Sequence, residues 1–251
     1  MGIKQNLQLS LALAKVEFKE KNEGSYLGIF WYLLSPLLLF LLLLLVFSNR
    51  IGTGIPNYPL YLLLGIIMFS FFQKTTIEST GVIHQNRGVI KSINFQRKSI
   101  IGSIVLKTLF SHIFEIALFV LFLLFFKVPI IGIIFYPLIF IFFCIFIYGS
   151  SLILSALAVY FIDLENIWSF VSYLIWFGTP IFYAIGGQSR LFYFNLFNPM
   201  YYFITIAREL IIYRRIPELW MMIGAMGYSL LFLIIGLFIF NKLKMKFAEM
   251  V

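Results

Sequence analysis

Long stretches without a charged residue alternate along the chain with short segments rich in lysine and arginine. The first such stretch, from Gly24 to Asn49, has twenty-six residues. A helix needs about 20 apolar residues to cross the roughly 30 Å hydrocarbon layer of a membrane, so this stretch is long enough to span it. We interpret residues 1–251 as one all-α, polytopic transmembrane domain. Its six predicted spans lie at 27–48, 58–80, 104–126, 136–160, 166–185 and 219–240.

Composition supports this interpretation for the whole chain. Hydrophobic residues make up 62% of it, charged residues 12%, and the mean hydropathy is +1.00, which is too apolar for a protein surrounded by water. We expect the first span to be retained, because its apolar run is longer than a signal-peptide core and no small-x-small cleavage site follows it. The single cysteine, Cys144, lies in an apolar run, so neither a disulfide framework nor a metal site is predicted.

The distribution of lysine and arginine predicts the orientation of the spans, because positive residues near span ends are retained in the cytoplasm. With six spans and both termini inside, twelve positive residues are cytoplasmic and six are external. The cytoplasmic set is Lys4, Lys15, Lys19, Lys21, Arg87, Lys91, Arg97, Lys98, Lys107, Lys242, Lys244 and Lys246. The external set is Arg50, Lys127, Arg190, Arg208, Arg214 and Arg215. We therefore expect a multi-pass protein of the inner (cytoplasmic) membrane with both termini in the cytoplasm.

Residues 1–23 are too polar to form a span but show a helical pattern. Apolar residues recur at helical spacing among lysines and glutamines; they are Ile3, Leu7, Leu11, Ala14 and Phe18. This pattern predicts an N-terminal amphipathic helix at the membrane interface, with its lysines near anionic head groups. Two interpretations stay open: a topological anchor, or a further role in admitting a lipid-linked substrate.

The segment 179–217 is too broken for a span and too apolar for an ordinary loop. Thr179-Pro180 and Asn198-Pro199 each place a capping residue before a proline, which predicts two helix starts. Arg208 is expected to lie off the apolar face of the second helix. Because backbone that breaks at membrane depth must be shielded by protein or by a wet cavity, we predict two short re-entrant helices at the outer mouth of a pore.

Ionisable residues inside spans are few, and each one needs a partner or a function. His112 and Glu115 share a helix face, as a mutually satisfied pair or as polar contacts of a pathway. Lys74 and Glu78, four residues apart, are expected to neutralise each other. The chain has no GxxxxGK[ST] phosphate loop and no nucleophile motif, so an enzyme is disfavoured, and neither a cofactor nor a nucleic acid is expected to bind it.

Several segments resemble one family in order and spacing over nearly the whole chain. They are Tyr26-Leu27-Gly28 with Phe30-Trp31, Ser35 and Pro36; the basic loop at Asn86; Ile162-Asp163; Thr179-Pro180-Ile181-Phe182-Tyr183; and Asn198-Pro199-Met200 before Arg208. These segments resemble the membrane subunits of ABC exporters that move O-antigen, capsule or teichoic-acid polymers. One departure is Ile162, at a position where the family often has arginine.

The resemblance implies a homodimeric permease driven by two copies of a separate subunit that binds ATP and Mg. It implies that the cytoplasmic loop 84–103 and the acidic turn after span four couple to that subunit; the coupling candidates are Asn86, Arg87, Lys91, Arg97, Lys98, Asp163 and Glu165. It also implies an extracytoplasmic gate in the segment 179–217, whose candidates are Pro180, Tyr183, Asn198, Pro199 and Met200.

The expected cargo is a polysaccharide, delivered on a polyprenyl diphosphate lipid. Sugar rings present C–H faces that pack on aromatic rings; the candidates nearest the predicted channel are Phe30, Trp31, Phe69, Phe72, Trp168 and Trp176. Lipid contact or interhelical packing is the alternative for each ring. Basic residues at the cytoplasmic entrance would suit an anionic lipid head group; they are Lys15, Lys19 and Lys21.

Three other functions remain open at this point. A permease for a small hydrophobic drug or lipid would share the architecture. A self-contained membrane enzyme acting on lipid-linked sugars would need no ATPase, although paired carboxylates are scarce in the chain. A structural scaffold would tolerate substitution of its channel aromatics.

Overall fold

The computed structural model describes residues 3–23, 28, 30–86, 88 and 96–243, and within these ranges its regular secondary structure consists of helices alone. The α-helices are α1 (Ile3–Asn22), α2 (Phe30–Phe47), α3 (Tyr58–Gln85), α4 (Lys98–Phe125), α5 (Tyr136–Ala158), α6 (Leu164–Gly178), α7 (Ser189–Leu196), α8 (Pro199–Ile211) and α9 (Leu219–Leu243). Short 3₁₀ helices cover Gly52–Gly54 and Ile130–Phe135.

Five helices in the described part are long and apolar enough to cross a membrane: α2, α3, α4, α5 with its preceding 3₁₀ turn, and α9. The predicted stretch 166–185 forms a helix only as far as Gly178, in the fifteen-residue α6. Fifteen residues extend about 22 Å, which is less than the roughly 30 Å of hydrocarbon. The loop predicted at 84–103 is also shorter than expected, because α3 continues to Gln85 and α4 begins at Lys98.

Helix α3 forms the centre of the bundle. Its most apolar window is 78% buried, whereas the other four long helices are 17% to 33% buried. It has apolar residues on all sides, as expected for a helix that is surrounded by protein. Phe71, for example, packs against rings on both α4 and α5. The centre of the bundle therefore consists of α3 and the helices that surround it.

Helices α5 and α9 approach each other through two glycines. A methyl group added to Gly149 would lie 2.5 Å from the backbone of Phe232, and one added to Gly236 would collide with the carbonyl of Gly149. Small residues at such crossings let helix backbones come close and gain van der Waals contact, which is a common basis of helix association in membranes.

Lys74, His112 and Glu115, inside the long helices, form one polar network. Lys74 Nζ lies 2.8 Å from Glu115 Oε1, and Glu115 Oε2 lies 3.2 Å from His112 Nδ1. His112 Nε2 is 2.5 Å from the hydroxyl of Tyr136. This network joins α3, α4 and α5. It matches the satisfied-pair interpretation of His112 and Glu115.

The expected pairing of Lys74 with Glu78 is wrong. Glu78 binds Lys107 of α4 at 3.0 Å, while Lys74 binds Glu115 of the same helix. The physical reason is that α4 packs along α3 and presents an opposite charge to each residue. The pairs are therefore interhelical rather than within one helix.

Candidate functional site

Arg208 of α8 is a buried, heavily hydrogen-bonded side chain. Only 2% of the residue is exposed, and its guanidinium donates four hydrogen bonds to backbone carbonyls. Nε and Nη2 donate to the Tyr61 carbonyl at 3.1 and 2.9 Å. Nη1 donates to Pro180 at 2.6 Å and Nη2 to Ile181 at 2.9 Å. We call this arrangement the Arg208 clamp; it joins α8 to α3 and to the segment after α6.

The clamp places a positive charge in an apolar interior by surrounding it with oxygen atoms and an aromatic face. None of the ion pairs among the described residues includes Arg208. Its guanidinium carbon lies 3.3 Å from the centre of the Tyr61 ring, close enough for a cation–π contact. A buried guanidinium needs this number of partners, because an unpaired one would be strongly unfavourable.

Gly65, one helical turn after Tyr61, leaves the space that the guanidinium occupies. A methyl group built there would lie 2.5 Å from Arg208 Nη2 and 3.3 Å from Ile181 Cγ2. The position therefore requires the absence of a side chain for a packing reason. This role of Gly65 is not visible in the sequence, because its partner is 143 positions away (208 − 65).

Tyrosine hydroxyls at the N-terminal end of α3 bind the same broken segment. Tyr61 Oη donates to the carbonyls of Pro180 and Tyr183 at 3.1 and 2.8 Å. Tyr58 Oη donates to the Phe182 carbonyl at 2.9 Å. The carbonyls of residues 180–183 are thus bonded by α3 and α8 instead of continuing a helix.

A further tyrosine hydroxyl joins the end of the α8 region to the loop before α3. Tyr213 Oη donates to the Pro56 carbonyl at 3.1 Å. Burial raises the pKa of Tyr213 to about 12, so its hydroxyl stays protonated well into the alkaline range.

The helix start predicted at Thr179-Pro180 is wrong, whereas the start at Asn198-Pro199 is present. Asn198 is the N-cap of α8 and accepts from the Met200 backbone N–H at 3.1 Å. Thr179 instead ends α6, and its hydroxyl donates to the Ile175 carbonyl at 2.7 Å. The next helix, α7, begins only at Ser189.

The two predicted helix starts, at Thr179 and at Asn198, nevertheless lie in direct contact. Asn198 Nδ2 donates to Thr179 Oγ1 at 2.8 Å. The predicted gate residues Pro180, Tyr183 and Asn198 therefore lie in one hydrogen-bonded unit together with Arg208, which the sequence pattern had placed off the apolar face. Arg208 points inward because the carbonyls of the broken segment and the Tyr61 ring surround its guanidinium.

An apolar cavity of about 320 Å³ lies beside this unit, among α3, α5, α6 and the start of α8. We call it the aromatic cavity; it is lined by Phe72, Phe146, Ser150, Ile153, Leu154, Trp168, Ile175, Phe194, Phe197, Asn198, Pro199, Met200 and Phe232. Trp168 Nε1 donates to Thr76 Oγ1 at 3.0 Å, which fixes the indole against α3. Two predicted channel residues and three predicted gate residues thus share one cavity.

The other aromatic candidates lie elsewhere. Phe69 is fully buried in the core, edge-on to Phe72. Phe30 and Trp31 are 72% and 53% exposed on α2. Trp176 stacks on Phe182, close to the Arg208 clamp. The structure does not bring the six rings into one lining.

Asn86, Asp163 and Glu165, three of the coupling candidates, lie near the C-terminal end of α3. His84 Nε2 is 3.3 Å from the Ala158 carbonyl, which joins the ends of α3 and α5. A methyl group on Gly81 would lie 3.5 Å from Glu165 Oε2, so the acidic turn adjoins the last turn of α3, where Asn86 follows as C-cap. Asp163 and Glu165 are exposed.

Arg97 and Lys98 begin α4 and are partly exposed. Arg87 and Lys91, also predicted to couple, lie outside the described residues. Exposed apolar residues flank the acidic turn: Phe161 at 59%, Ile162 at 89% and Ile167 at 54%.

Helix α1 packs against α4. Its contacts include a hydrogen bond from Ser10 Oγ to the Ser99 carbonyl at 2.9 Å and an ion pair between Glu17 and Lys107 at 3.1 Å. The entrance candidates Lys15 and Lys19 are exposed, and Lys19 pairs with Glu23 at 3.3 Å. The side chain of the third candidate, Lys21, lies outside the described residues.

Comparison with known proteins adds the family context. A family model described as ABC-2 type transporter matches residues 8–212. An O-antigen export system permease protein RfbA from Klebsiella pneumoniae is 30% identical, over 96% of this chain and 94% of that protein. The RfbA protein of Myxococcus xanthus is 25% identical with the same coverage. The polysialic acid transport protein KpsM of Escherichia coli is 23% identical over 85% of this chain and 83% of KpsM. These matches confirm the resemblance inferred from the sequence.

Proposed function

Because the chain belongs to the ABC-2 type transporter family, we propose that it is the channel-forming permease subunit of an ATP-driven polysaccharide exporter. Relatives that cover 96% of this chain are named for O-antigen export, and a further one for polysialic acid transport. The shared class of cargo is a polysaccharide. A polyprenyl diphosphate carrier would supply the anionic head group that basic residues at the entrance can bind.

The proposed topology has six crossings in the inner membrane, with both termini in the cytoplasm. In this arrangement α6 and the bonded segment after it together form the fifth crossing, which α6 alone is too short to complete. Helices α7 and α8 form the re-entrant gate segment at the outer face, and α1 lies at the cytoplasmic interface. Leu7 and Leu11 of α1 are 64% and 40% exposed, which suits contact with acyl chains.

The proposed assembly is a homodimer with two copies of a separate ATP-binding subunit, and this chain binds no nucleotide itself. The absence of a phosphate loop from the sequence supports a separate ATPase. The exposed turn with Phe161, Ile162 and Asp163 offers apolar and acidic groups to such a partner. Hydrolysis of ATP with Mg would take place in the partner.

The observation that supports a gating mechanism most directly is the Arg208 clamp at the outer end of α3. The inner end of α3 adjoins the acidic turn, and its 28 residues extend about 42 Å. A shift of α3 driven by the ATPase would move the carbonyl of Tyr61 and, through Arg208, the segment at Pro180 and Ile181. Helix α3 would thus couple nucleotide hydrolysis to opening at the outer face.

The aromatic cavity would hold sugar rings by stacking on Phe72, Trp168 and Phe197, which lie on three different elements. Such contacts hold a polymer without selecting one register, because each pyranose presents a C–H face. Movement of α8 would change the shape of this cavity, since Asn198, Pro199 and Met200 form part of its wall.

The test is deletion of the gene with complementation by the full chain, followed by measurement of surface polysaccharide. The proposal predicts loss of the polymer on deletion and recovery on complementation, with lipid-linked polymer accumulating inside. Unchanged surface polysaccharide with a loss of drug resistance would instead indicate a permease for small molecules. Conversion of lipid-linked sugars by the isolated chain without ATP or partner would indicate an enzyme, and either result overturns the proposal.

A further inference from the structure

A second groove, of about 420 Å³, lies between α1, α4, α5 and α9. Its apolar wall consists of Leu7, Val105, Leu106, Cys144, Ile145 and Leu233. Its polar residues gather where α4 begins; they are Ser10, Gln96, Lys98, Ser99 and Tyr148, whose hydroxyl donates to the Lys98 carbonyl at 3.5 Å. The groove is therefore amphipathic along its length, with a long apolar part and a short polar end.

Ser99 has an unsatisfied hydroxyl at this polar end. The residue is 4% exposed, and within the described part of the chain its Oγ has no hydrogen-bond partner. Buried hydroxyls are normally bonded, so an unpaired one calls for an explanation. Because Ser99 lines the groove, rotation of its side chain would present this hydroxyl to an acceptor oxygen at the polar end.

The first turn of α4 is also favourable for an anion. It is the N-terminus of a 28-residue helix, where the aligned peptide dipoles give a partial positive charge. Lys98 adds a full positive charge beside Ser99, and none of the residues that line the groove is acidic. The polar end therefore complements a negatively charged group.

A cavity on another side of α1 has the opposite electrostatic character. It measures about 540 Å³ and is lined by Glu17, Glu20 and Glu78 together with Lys107. An anion would be repelled there by the surplus of carboxylates. The two cavities next to α1 thus differ in sign, and only the groove at Ser99 combines a positive end with an apolar wall.

We propose that the groove binds an anionic phospholipid of the cytoplasmic leaflet. One acyl chain lies along Leu106, Cys144 and Leu233, and the phosphate accepts hydrogen bonds from Ser99 and Lys98. The choice of leaflet rests on the proposed topology, whereas the site itself does not depend on the cargo. Because Ser10 of α1 binds the Ser99 carbonyl in the same wall, the lipid would help to hold α1 on α4.

The experiment uses the full chain reconstituted in phosphatidylcholine vesicles that contain phosphatidylglycerol with a diazirine in one acyl chain. After illumination, mass spectrometry identifies the labelled peptides. Labelling is expected at the apolar wall of the groove, and unlabelled phosphatidylglycerol should compete better than phosphatidylcholine. Lys98→Gln should lower the preference for phosphatidylglycerol over phosphatidylcholine by about fivefold. This is the equivalent of about 1 kcal/mol for one lysine at an anionic surface.

Cys144→Trp fills the groove and should abolish the label there. The matched control is Leu138→Trp, on the same helix at a position that is 60% exposed and outside the groove, and it should leave the label unchanged. Ser99→Ala, which removes only the hydroxyl, provides a second variant that keeps the packing of the helix.

Three results would overturn the proposal: equal competition by both phospholipids, label spread evenly around the protein, or label that persists in Cys144→Trp. Competition by a polyprenyl diphosphate oligosaccharide but not by phosphatidylglycerol would also overturn it and would assign the groove to the exported substrate. Surface polysaccharide is measured separately, so failure of the lipid site and failure of the export function are distinguishable.

Discussion

The guanidinium of Arg208 lies over the ring of Tyr61 and donates two hydrogen bonds to the carbonyl oxygen of the same residue. Tyr61 in turn donates its hydroxyl to the Pro180 carbonyl, which Arg208 also binds. The two side chains therefore bind the same broken segment from two helices. This arrangement predicts that the segment 180–183 responds as a unit to changes at either residue.

Replacement of Arg208 should disrupt the segment 180–183. Arg208→Met removes the donor that binds the carbonyls of Tyr61, Pro180 and Ile181. The Pro180 carbonyl keeps its bond from Tyr61 Oη, whereas the Ile181 carbonyl loses its Arg208 bond, and an unsatisfied buried group costs about 1–3 kcal/mol. Arg208→Lys keeps the charge but not the planar fork of donors. We expect a lower melting temperature and strongly reduced surface polysaccharide for both, with the lysine variant less affected.

The matched control for this experiment is Arg190→Met, at an exposed position on α7. It should retain the melting temperature and the export of the parent protein. A stable Arg208→Met variant with normal export would contradict the role assigned to the clamp.

Gly65→Ala, on α3, should lower the melting temperature as the Arg208 variants on α8 do, but by less. The added methyl group meets Arg208 Nη2 at 2.5 Å, so the guanidinium must move away from its acceptors. Gly227→Ala on α9, where a methyl group meets nothing within 4 Å, is the matched control. Thermal unfolding of the purified chain measures the difference, and equal melting temperatures for the two variants would show that the clamp tolerates displacement.

The apolar runs indicated a helical membrane protein because helix-length hydrophobic segments have few other stable environments. Asn198 was recognisable as an N-cap because its partner, the Met200 backbone N–H, is local. The inward position of Arg208 was not, since its acceptors are backbone carbonyls that have no sequence signature. Lys74 was assigned the wrong partner for a related reason: an opposite charge four residues away is visible in the sequence, and one on a neighbouring helix is not.

The exposed acidic turn should affect coupling rather than folding. Asp163→Asn and Glu165→Gln remove charge from exposed side chains, so the melting temperature should stay unchanged. If the turn contacts the ATPase, permease-dependent ATP hydrolysis by the reconstituted complex should fall. Glu218→Gln, an exposed carboxylate on the proposed outer side, is the control. If the double variant Asp163→Asn/Glu165→Gln supports ATP hydrolysis at the rate of the parent protein, the charges of the turn are not needed for coupling.

Variants of the ion pair between Lys74 and Glu115 can show whether the pair is needed for stability alone or also for transport. The carboxylate is 2% exposed and the lysine side chain 37% exposed. Removal of one partner of a buried pair is destabilising by about 3–5 kcal/mol, whereas replacement of both by apolar residues is often neutral. Because Lys74 is partly exposed, we expect Glu115→Leu to cost about 3 kcal/mol, near the lower end of that range.

The double variant Lys74→Met/Glu115→Leu should recover the part of this stability that is lost by leaving Lys74 unpaired, although His112 Nδ1 still lacks its Glu115 partner. A double-mutant cycle measured by chemical or thermal unfolding gives the coupling energy. His112 would still bind Tyr136 in that variant, since their hydrogen bond does not involve the carboxylate. If the network only fastens α3 to α4 and α5, export should recover together with stability. Recovered stability without export would show instead that the charges of Lys74 and Glu115 are required during the transport cycle.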